Sequence, residues 1–276
     1  VARVASRRLK TNIVSATAFR GFGGPQGMIG IERAMEAVAR ETGRDPLDVR
    51  FANLYRPGAD QTPYNMHVED TETLPAILRE LERTSDYRAR REAIKAFNAT
   101  SPILKKGIAL TPVQFGISFT LIHLNQAGAL VHVYSDGSIQ LNHGGTEMGQ
   151  GLFTKVAQVV AEEFGVPLDC VRITATNTAK VPNASPTAAS SGTDINGMAA
   201  KIAAGQIRAR MAAFAAETWG VGAETIEFRE GRVFGGNMSM SFGELAKACR
   251  LNRVGLSAAG YYRTPEISWD RANVKG

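Results

Sequence analysis

Cysteine is scarce in this sequence, and motifs that bind zinc are absent. The chain of 276 residues has two cysteines, Cys170 and Cys249, which lie far apart and form no CxxC pair. Two such cysteines provide neither a disulfide framework nor a zinc quartet. None of the four histidines lies four residues from another, and no HExxH occurs. We therefore expect no zinc site and two reduced, buried cysteines.

Long apolar runs are also absent. No stretch of about eighteen apolar residues occurs that could span a membrane. The first ten residues carry Arg3, Arg7, Arg8 and Lys10 but no apolar core of a signal peptide follows them. With 44% hydrophobic and 21% charged residues, the composition is that of a globular protein. The sequence predicts a cytoplasmic protein with no membrane partner.

Phosphate-binding loops and serine-nucleophile motifs are missing too. The glycine-rich stretch from Gly144 to Gly151 lacks the Lys-Ser/Thr pair of a P-loop, and no GxGxxG opens a helix after a strand. No GxSxG surrounds Ser185, Ser190 or Ser191. Nicotinamide binding and a serine nucleophile are therefore not expected.

Positive charge is sparse where the chemistry-bearing residues concentrate. The formal net charge is +6, yet residues 111–200 contain only Lys155, Arg172 and Lys180 as basic side chains, against six acidic ones. Basic residues form no stripe interleaved with aromatics along a recognition element. This half of the chain is suited to an interior or an interface, and no nucleic-acid partner is expected.

One stretch that is present stands out: Thr17-Ala18-Phe19-Arg20-Gly21-Phe22-Gly23-Gly24-Pro25-Gln26. The glycines allow a close approach of backbone to a ligand, and Pro25 suits the first turn of a helix. The N-terminus of that helix favours an anionic or oxo-bearing group. The alternative is a tight loop with a core phenylalanine and a surface arginine.

Helix and strand patterns occur in both halves of the chain, which predicts the α+β class. A helix is expected over 29–41, and Asp45 and Asp86 are expected to cap two further helices. The Asp136-Gly137 pair predicts a hairpin turn, and Ser241 with Glu244 predicts a capping box. A long alanine-rich helix is expected from Asp194 to Trp219.

Two segments follow from this pattern, joined near residues 100–106. Residues 1–104 are predicted to form a first α+β segment that carries the Arg/Gly-rich loop. Residues 105–276 are predicted to form a second α+β segment with the FGISFT, GGTEMGQG and SPTAAS motifs. Between the FGISFT and GGTEMGQG motifs, His132 is expected to be an ordinary strand histidine and His143 a donor that anchors a loop.

Four motifs, in this order along the chain, resemble the molybdopterin-binding subunit of xanthine dehydrogenase. They are TAFRGFGGPQ, FGISFT at 115–120, GGTEMGQG at 144–151 and SPTAAS at 185–190. The similarity covers essentially the whole chain. The resemblance implies part of a two-subdomain molybdenum-cofactor-binding domain whose motif loops converge.

The resemblance also implies roles for individual residues. Phe22 and Phe119 would hold a flat purine between two aromatic rings, and Thr120 would form a hydrogen bond to its edge. Arg20 and Ala189 would lie near the molybdenum without being side-chain ligands. The residues expected to bind the cofactor are Arg20, Gly149, Gln150, Ala189 and Ser190.

Hydroxylation of hypoxanthine and xanthine to urate, with oxygen from water, is the implied reaction. The implied partners are the purine, the remainder of the molybdopterin domain, and a domain or subunit that carries FAD and the 2Fe-2S clusters. The family's catalytic glutamate stands in a Gly-Glu-Pro segment expected beyond Gly276, since Gly243-Glu244-Leu245 lacks the proline. The chain alone is therefore expected to be inactive, with Glu147 as the first substitute base to test.

Other classes remain open. One is another molybdenum hydroxylase, such as an aldehyde oxidase or a carbon monoxide dehydrogenase large subunit. The carbon monoxide enzymes carry a cysteine in the loop equivalent to Phe19–Gly24, and none is present here. A third alternative is a cofactor-free structural or assembly module in which the motifs serve packing only.

Overall fold

The chain divides into two units. The computed structural model describes residue 5 and residues 7–15, 17–63, 66–181 and 183–273. The first unit comprises Val1–Gly116 and Trp269–Gly276, and the second comprises Ile117–Ser268. The sequence placed the change of segment between residues 104 and 105. In the structure the division falls inside the FGISFT motif, between Gly116 and Ile117.

The described part of the first unit is mainly helical. Its helices are α1 (Gly24–Thr42), α2 (Pro46–Ala52), α3 (Thr73–Thr84) and α4 (Tyr87–Thr100). Among the residues described in this unit, β structure is limited to isolated bridge residues, which include the pairs Arg56–Ala59 and Gln61–His67. The segment over 1–104, which the sequence predicts as α+β, is therefore mainly helical in its described part.

A buried arginine joins α1 to α2. Arg50 is 3% exposed, and its guanidinium donates to Glu32 at 2.7 Å and to Glu36 at 2.9 Å. These carboxylates hold the pKa of Arg50 above its usual value, against the desolvation that burial imposes. The two carboxylates on the facing helix offset the free-energy cost of burying this charge.

The two predicted aspartate caps have different outcomes. Asp45 caps α2 as expected, since its Oδ1 accepts from the Leu47 N–H at 2.9 Å. The same carboxylate accepts from the Tyr87 hydroxyl at 3.2 Å and pairs with Arg91 at 2.5 Å, which joins α2 to α4. The prediction for Asp86 is wrong. Its backbone is left-handed (φ 51) and its side chain makes no capping bond, whereas a cap needs extended backbone.

The second unit is built on a four-stranded sheet with helices packed against it. The elements of this unit are β1 (Gln126–Val133), β2 (Ile139–His143), α5 (Leu152–Phe164), β3 (Val171–Ile173), α6 (Gly192–Trp219), β4 (Glu227–Arg229), β5 (Arg232–Gly235), β6 (Met238–Ser241), α7 (Phe242–Leu251) and β7 (Ser257–Arg263). Strand order in the four-stranded sheet is β3-β2-β1-β7, with β1 antiparallel to both neighbours and β2 parallel to β3. The hairpin between β1 and β2 turns at Asp136-Gly137, as predicted.

Small residues let the long helix α6 lie against the sheet. A side chain at Gly260 of β7 would overlap the backbone oxygen of Ala199 in α6. Ala199, Ala203 and Ile207 on this helix are fully buried. The predicted alanine-rich helix is therefore confirmed, and its small side chains allow close packing against the sheet.

The sequence analysis missed β7 and the antiparallel sheet β4-β5-β6. The strands of that sheet are three or four residues long, too short for an alternating pattern to be visible. The capping box that follows is confirmed: Ser241 accepts from the Glu244 N–H at 3.2 Å, and Glu244 accepts from the Ser241 N–H at 2.8 Å. Together these elements place α7 beside the sheet of the second unit.

Candidate functional site

The Arg/Gly-rich motif forms a tight turn that leads into α1. Gly21, Phe22 and Gly23 all have positive φ (86, 44 and 90), and the Phe22 N–H bonds to the Phe19 carbonyl at 2.7 Å. Phe22 is a non-glycine residue in this region, which costs free energy that the surroundings must offset. Its side chain is 81% exposed, so the turn presents an aromatic ring at the surface of the first unit.

Phe115, the first residue of FGISFT, packs on this turn. A side chain at Gly24 would overlap the Phe115 ring, so only glycine allows the ring to lie there. Gly24 and Phe115 both belong to the first unit. The first motif and the start of the second are therefore in contact, although a long stretch of sequence separates them.

The rest of FGISFT contacts the SPTAAS motif. The Ser118 N–H donates to the Ala189 carbonyl at 2.9 Å. Ser118 (φ 84), Ala189 (φ 54) and Ser190 (φ 56) are all non-glycine residues with left-handed backbone. Three such residues in two bonded loops store strain, and strain of this kind is concentrated at functional sites.

Phe119 is fixed by a side chain that the sequence analysis did not single out. Asn125 Oδ1 accepts from the Phe119 N–H at 2.8 Å, and Asn125 Nδ2 donates to the Phe119 carbonyl at 2.9 Å. Phe119 itself is half-buried and Thr120 is exposed. No sequence pattern marks Asn125, because its role depends on how the chain turns between the two residues.

The GGTEMGQG motif contacts SPTAAS as well. The Thr146 N–H donates to Thr187 Oγ1 at 2.8 Å. Thr176 holds the same loop from another side, since its hydroxyl donates to the Gly145 carbonyl at 3.1 Å. The structure therefore brings together the second-unit parts of three motifs, as the prediction of converging loops requires.

His143 ends β2 and anchors the double glycine, but it does so as an acceptor. Its Nδ1 accepts from the Gly145 N–H at 3.1 Å, so the expectation of a donor at this bond is wrong. The ring is 3% exposed, and burial lowers the pKa of His143 to about 4. A neutral ring with Nδ1 as acceptor carries its proton on Nε2. His132, by contrast, lies within β1 as expected.

Glu147 organises the loop that leads into α5. One of its oxygens accepts from the Gly149 N–H at 2.8 Å and from the Gly151 N–H at 3.1 Å. The other accepts from the Phe153 N–H at 3.1 Å. The bond from Phe153 and those from the two glycines lower the pKa of Glu147 below its usual value. A carboxylate stabilised in this way is a weak base, which argues against Glu147 as the substitute base.

Gln150 also bonds within this loop. Its Oε1 accepts from the Met148 N–H at 2.6 Å, and its Nε2 donates to the Thr146 carbonyl at 2.9 Å. Gly149 has a φ of 88, and no atom lies within 4 Å of the position that a side chain would take. The surface at Gly149 is therefore open backbone that a large ligand can approach closely.

The eight residues predicted to bind cofactor or substrate are divided between the two units. Phe119, Thr120, Gly149, Gln150, Ala189 and Ser190 lie in the second unit. Arg20 and Phe22 lie in the first. Their binding roles stay predictions. Cys249 is buried as expected, but Cys170 is only half-buried, which corrects the expectation for that residue.

Comparisons with known proteins agree with the motifs. Residues 80–276 match a family described as a molybdopterin cofactor-binding domain, and residues 1–54 match a second family of the same description. The chain belongs to the molybdopterin cofactor-binding domain family. The predicted cofactor, molybdopterin, is thereby confirmed at the level of the family.

The relatives of this chain include a nicotinate hydroxylase and xanthine dehydrogenases. A nicotinate hydroxylase of Emericella nidulans is 46% identical over 265 residues, which cover 96% of this chain and 18% of the relative. A xanthine dehydrogenase of Blastobotrys adeninivorans is 43% identical over 276 residues, covering 99% and 18%. The xanthine dehydrogenase/oxidase of Gallus gallus is 44% identical over 267 residues, covering 97% and 18%. The chain thus spans 18% of the length of these relatives.

Solved structures show the same fold. A Cu,Mo-CO dehydrogenase superposes with a TM-score of 0.70 at 24% identity, covering 90% of this chain and 34% of that chain. The quinoline 2-oxidoreductase from Pseudomonas putida 86 gives a TM-score of 0.66 at 22% identity, with the same coverage of 90% and 34%. These neighbours confirm the α+β class and a molybdenum-cofactor-domain fold.

The residues of the second unit fit a large polar cofactor. Ala189 and Ser190 are consecutive residues with left-handed backbone, in the loop that precedes α6. Ser190 and Gly149 are exposed, so a ligand has access to both loops. In the part of the chain that the structure describes, no three His, Cys, Asp or Glu side chains cluster as metal ligands. No helix among the described residues has the length and apolarity needed to cross a membrane.

Proposed function

We propose that this chain forms one wall of the active site of a molybdenum hydroxylase that converts hypoxanthine and xanthine to urate. The observation that carries the proposal is the pair of hydrogen bonds from Ser118 to Ala189 and from Thr146 to Thr187. These bonds join the second-unit parts of three motifs of the family. The similarity to xanthine dehydrogenases over the length of the chain supports the choice of purines.

The cofactor would be held by backbone and small side chains. When bound, the molybdenum cofactor supplies the two-electron oxidation, with water as the source of oxygen. Gly149 and Gln150 would contact the pterin from the loop before α5, and Ser190 would contact it from the loop before α6. Ala189 would lie near the metal, while the role of Arg20, which belongs to the first unit, stays a prediction from the resemblance.

The substrate would be held by stacking and one edge contact. The Phe119 ring is half-buried, so one part is fixed by the protein while another can face a flat heterocycle. The stacking role of Phe22, which belongs to the first unit, stays a prediction from the resemblance. The Thr120 hydroxyl can donate or accept a hydrogen bond at the substrate edge.

The general base of the reaction would come from outside this chain. Both glutamates considered within it are engaged at helix starts: Glu147 before α5 and Glu244 in the first turn of α7. Hydrogen bonds from Ser241 lower the pKa of Glu244, which makes this carboxylate a weak base as well. We propose that other domains supply the base, the 2Fe-2S clusters and FAD, that the assembled enzyme is cytoplasmic, and that the chain alone does not turn over.

A second candidate is hydroxylation of nicotinate. The relative named as a nicotinate hydroxylase is 46% identical over 96% of this chain. Pyridine and purine rings are both flat and electron-poor, so the same aromatic contact on Phe119 serves either. The two candidates differ in what must bind at the ring edge, a carboxylate in nicotinate and ring nitrogens and carbonyls in xanthine.

A chimera can test both candidates. The matching segment of the Gallus gallus xanthine dehydrogenase/oxidase would be replaced by this chain, and kcat and KM measured for hypoxanthine, xanthine and nicotinate. We expect purine turnover with little turnover of nicotinate. A cofactor-loaded chimera that oxidises only nicotinate would favour the second candidate. A folded chimera that fails to bind molybdopterin would support a structural module instead.

Phe119 variants separate stacking from packing in that chimera. Phe119→Ala removes the aromatic face and should lower kcat/KM for xanthine through a loss of about 1–3 kcal/mol of binding. Phe119→Leu is the matched control, because it keeps apolar volume but removes the flat face. If Phe119→Leu retains wild-type kinetics, Phe119 serves packing and the substrate role fails.

A further inference from the structure

Asn125 is a buried polar residue with an unusual use of its side chain. It is 2% exposed, yet its carboxamide bonds to no other side chain among the contacts described here. Both of its polar atoms bind the backbone of Phe119, one as acceptor at 2.8 Å and one as donor at 2.9 Å. The pair of bonds fixes both the N–H and the carbonyl of a single residue.

The backbone of Asn125 is itself attached to the sheet. Its N–H donates to the Ile122 carbonyl at 3.0 Å, and its carbonyl accepts from the Thr264 N–H at 3.0 Å. Asn125 directly precedes β1, and Thr264 directly follows β7. The central strand β1 pairs with the edge strand β7. Because Asn125 is held at the end of this pair, its side chain fixes Phe119 relative to the sheet.

A second attachment lies on the other side of Phe119. The preceding residue, Ser118, donates its N–H to the Ala189 carbonyl and has a left-handed φ of 84. A non-glycine residue keeps this conformation only where its surroundings hold it. Phe119 is therefore attached at one end to the Ala189 loop and along its own backbone to Asn125.

We propose that Asn125 is a positioning residue, which sets the plane of the Phe119 ring relative to the Ala189 loop and thereby the orientation of a flat aromatic substrate. This inference rests on the proposed function, because it takes Phe119 as the stacking surface. Asn125 does not touch the substrate. It acts by keeping one backbone conformation at a residue that would otherwise be free to rotate, and pre-organisation of this kind favours binding.

Other buried asparagines in the same unit act differently. Asn142 accepts a bond from the Thr174 hydroxyl, and Asn196 donates to the Gly192 carbonyl of its own helix at 2.8 Å. Asn142 is 3% exposed, comparable with Asn125, and does not contact Phe119. Asn142→Ala is therefore a matched control, which removes a buried carboxamide of the same unit without releasing Phe119.

The first test measures the Phe119 amide directly in the 276-residue chain. Hydrogen exchange would be followed by NMR in the wild type, Asn125→Ala and Asn142→Ala. Loss of the bond to Asn125 should speed exchange at the Phe119 amide about tenfold, relative to core amides in β1. The control should change this ratio little. An unchanged ratio in Asn125→Ala would overturn the inference.

The second test measures kinetics in the chimera described above. Asn125→Ala should raise KM for xanthine several-fold more than it lowers kcat, because the ring that orients the substrate becomes free. Asn125→Asp has the same shape and keeps an acceptor for the Phe119 N–H, but its carboxylate lacks the donor. Because this buried carboxylate would face the Phe119 carbonyl, we expect a KM at least as high as that of Asn125→Ala. If one variant fails to fold, the other variant decides the outcome.

The outcomes separate this inference from the proposed function. A wild-type chimera that turns over no heterocycle would refute the proposed function, while the exchange result still reports on Asn125 and Phe119. Suppose instead that the chimera is active and that Asn125→Ala or Asn125→Asp speeds exchange at the Phe119 amide. If that variant still has the wild-type KM for xanthine, the positioning role alone is overturned. A KM increase of the same size in Asn142→Ala would reduce the effect to general loss of stability and would also overturn it.

Discussion

A single methyl group added to the GGTEMGQG motif should destabilise the second unit. Gly145 does not need glycine for its backbone, since its φ lies outside the left-handed region. The constraint is space. A Cβ at this position would lie 2.6 Å from Leu152 Cδ2, 2.9 Å from Asn196 Nδ2 and 3.1 Å from His143 Nδ1.

None of these neighbours can move without loss. Leu152, Asn196 and His143 are 1%, 5% and 3% exposed. Displacement of His143 would also break the bond that its Nδ1 accepts from the Gly145 N–H. Overpacking of this kind costs about 1–3 kcal/mol. At roughly 2–4 °C per kcal/mol for a unit of this size, Gly145→Ala should lower Tm by about 2–12 °C.

Calorimetry of the chain would measure this shift, with Gly205→Ala as the control. Gly205 lies within α6 and is also in the second unit, but a Cβ there would meet its nearest neighbour, Glu163, at an ordinary 3.6 Å. Alanine in a helix interior is more stable than glycine by roughly 0.5–1 kcal/mol, so the control should raise Tm. If Gly145→Ala left Tm unchanged or raised it, the argument that buried neighbours confine this loop would be refuted.

Three further outcomes can be measured on the same chain. Glu147→Gln should speed hydrogen exchange at the amides of Gly149, Gly151 and Phe153, since an uncharged amide accepts these bonds less well; unchanged exchange would exclude the capping role. The pKa of His143 is lowered to about 4 from 6.5, so the unfolded state binds the proton first and stability should fall as pH drops between these values. His143→Asn should flatten that dependence in pH-resolved unfolding curves, and an equal slope in both proteins would contradict it. Burial raises the pKa of Cys249 to about 11, so an alkylating reagent at neutral pH should modify the half-buried Cys170 first; mass spectrometry that finds Cys249 labelled faster would oppose this.

Local chemistry made parts of the fold predictable. Asp45 before Pro46, the Asp136-Gly137 turn and the Ser241–Glu244 capping box each depend on residues within four positions of one another. Asp86 shows the limit of this reasoning. Its sequence context is that of a cap, but the connection from α3 to α4 forces the residue into left-handed backbone.

The short strands could not be predicted in the same way. A strand of three residues such as β4 has no room for an alternating pattern. β7 carries small residues and a glycine because α6 lies against it, so its composition reports on a neighbour distant in sequence. Such a strand can be recognised from its composition only when the helix packed against it is known.

By itself, the sequence determined the family, the α+β class and the motif residues of the candidate site, because four motifs in a fixed order are specific and helix caps are local. The tertiary structure alone decided which motif residues meet within each unit. The bond from Ser118 to Ala189 and the clamp of Asn125 on Phe119 join loops through geometry that no spacing encodes. The same holds for Glu147, whose identity suggested a base until its oxygens were found on three backbone N–H groups. The sequence gives the chemical groups of each side chain, but the partners of those groups depend on which distant atoms the fold brings within hydrogen-bonding distance.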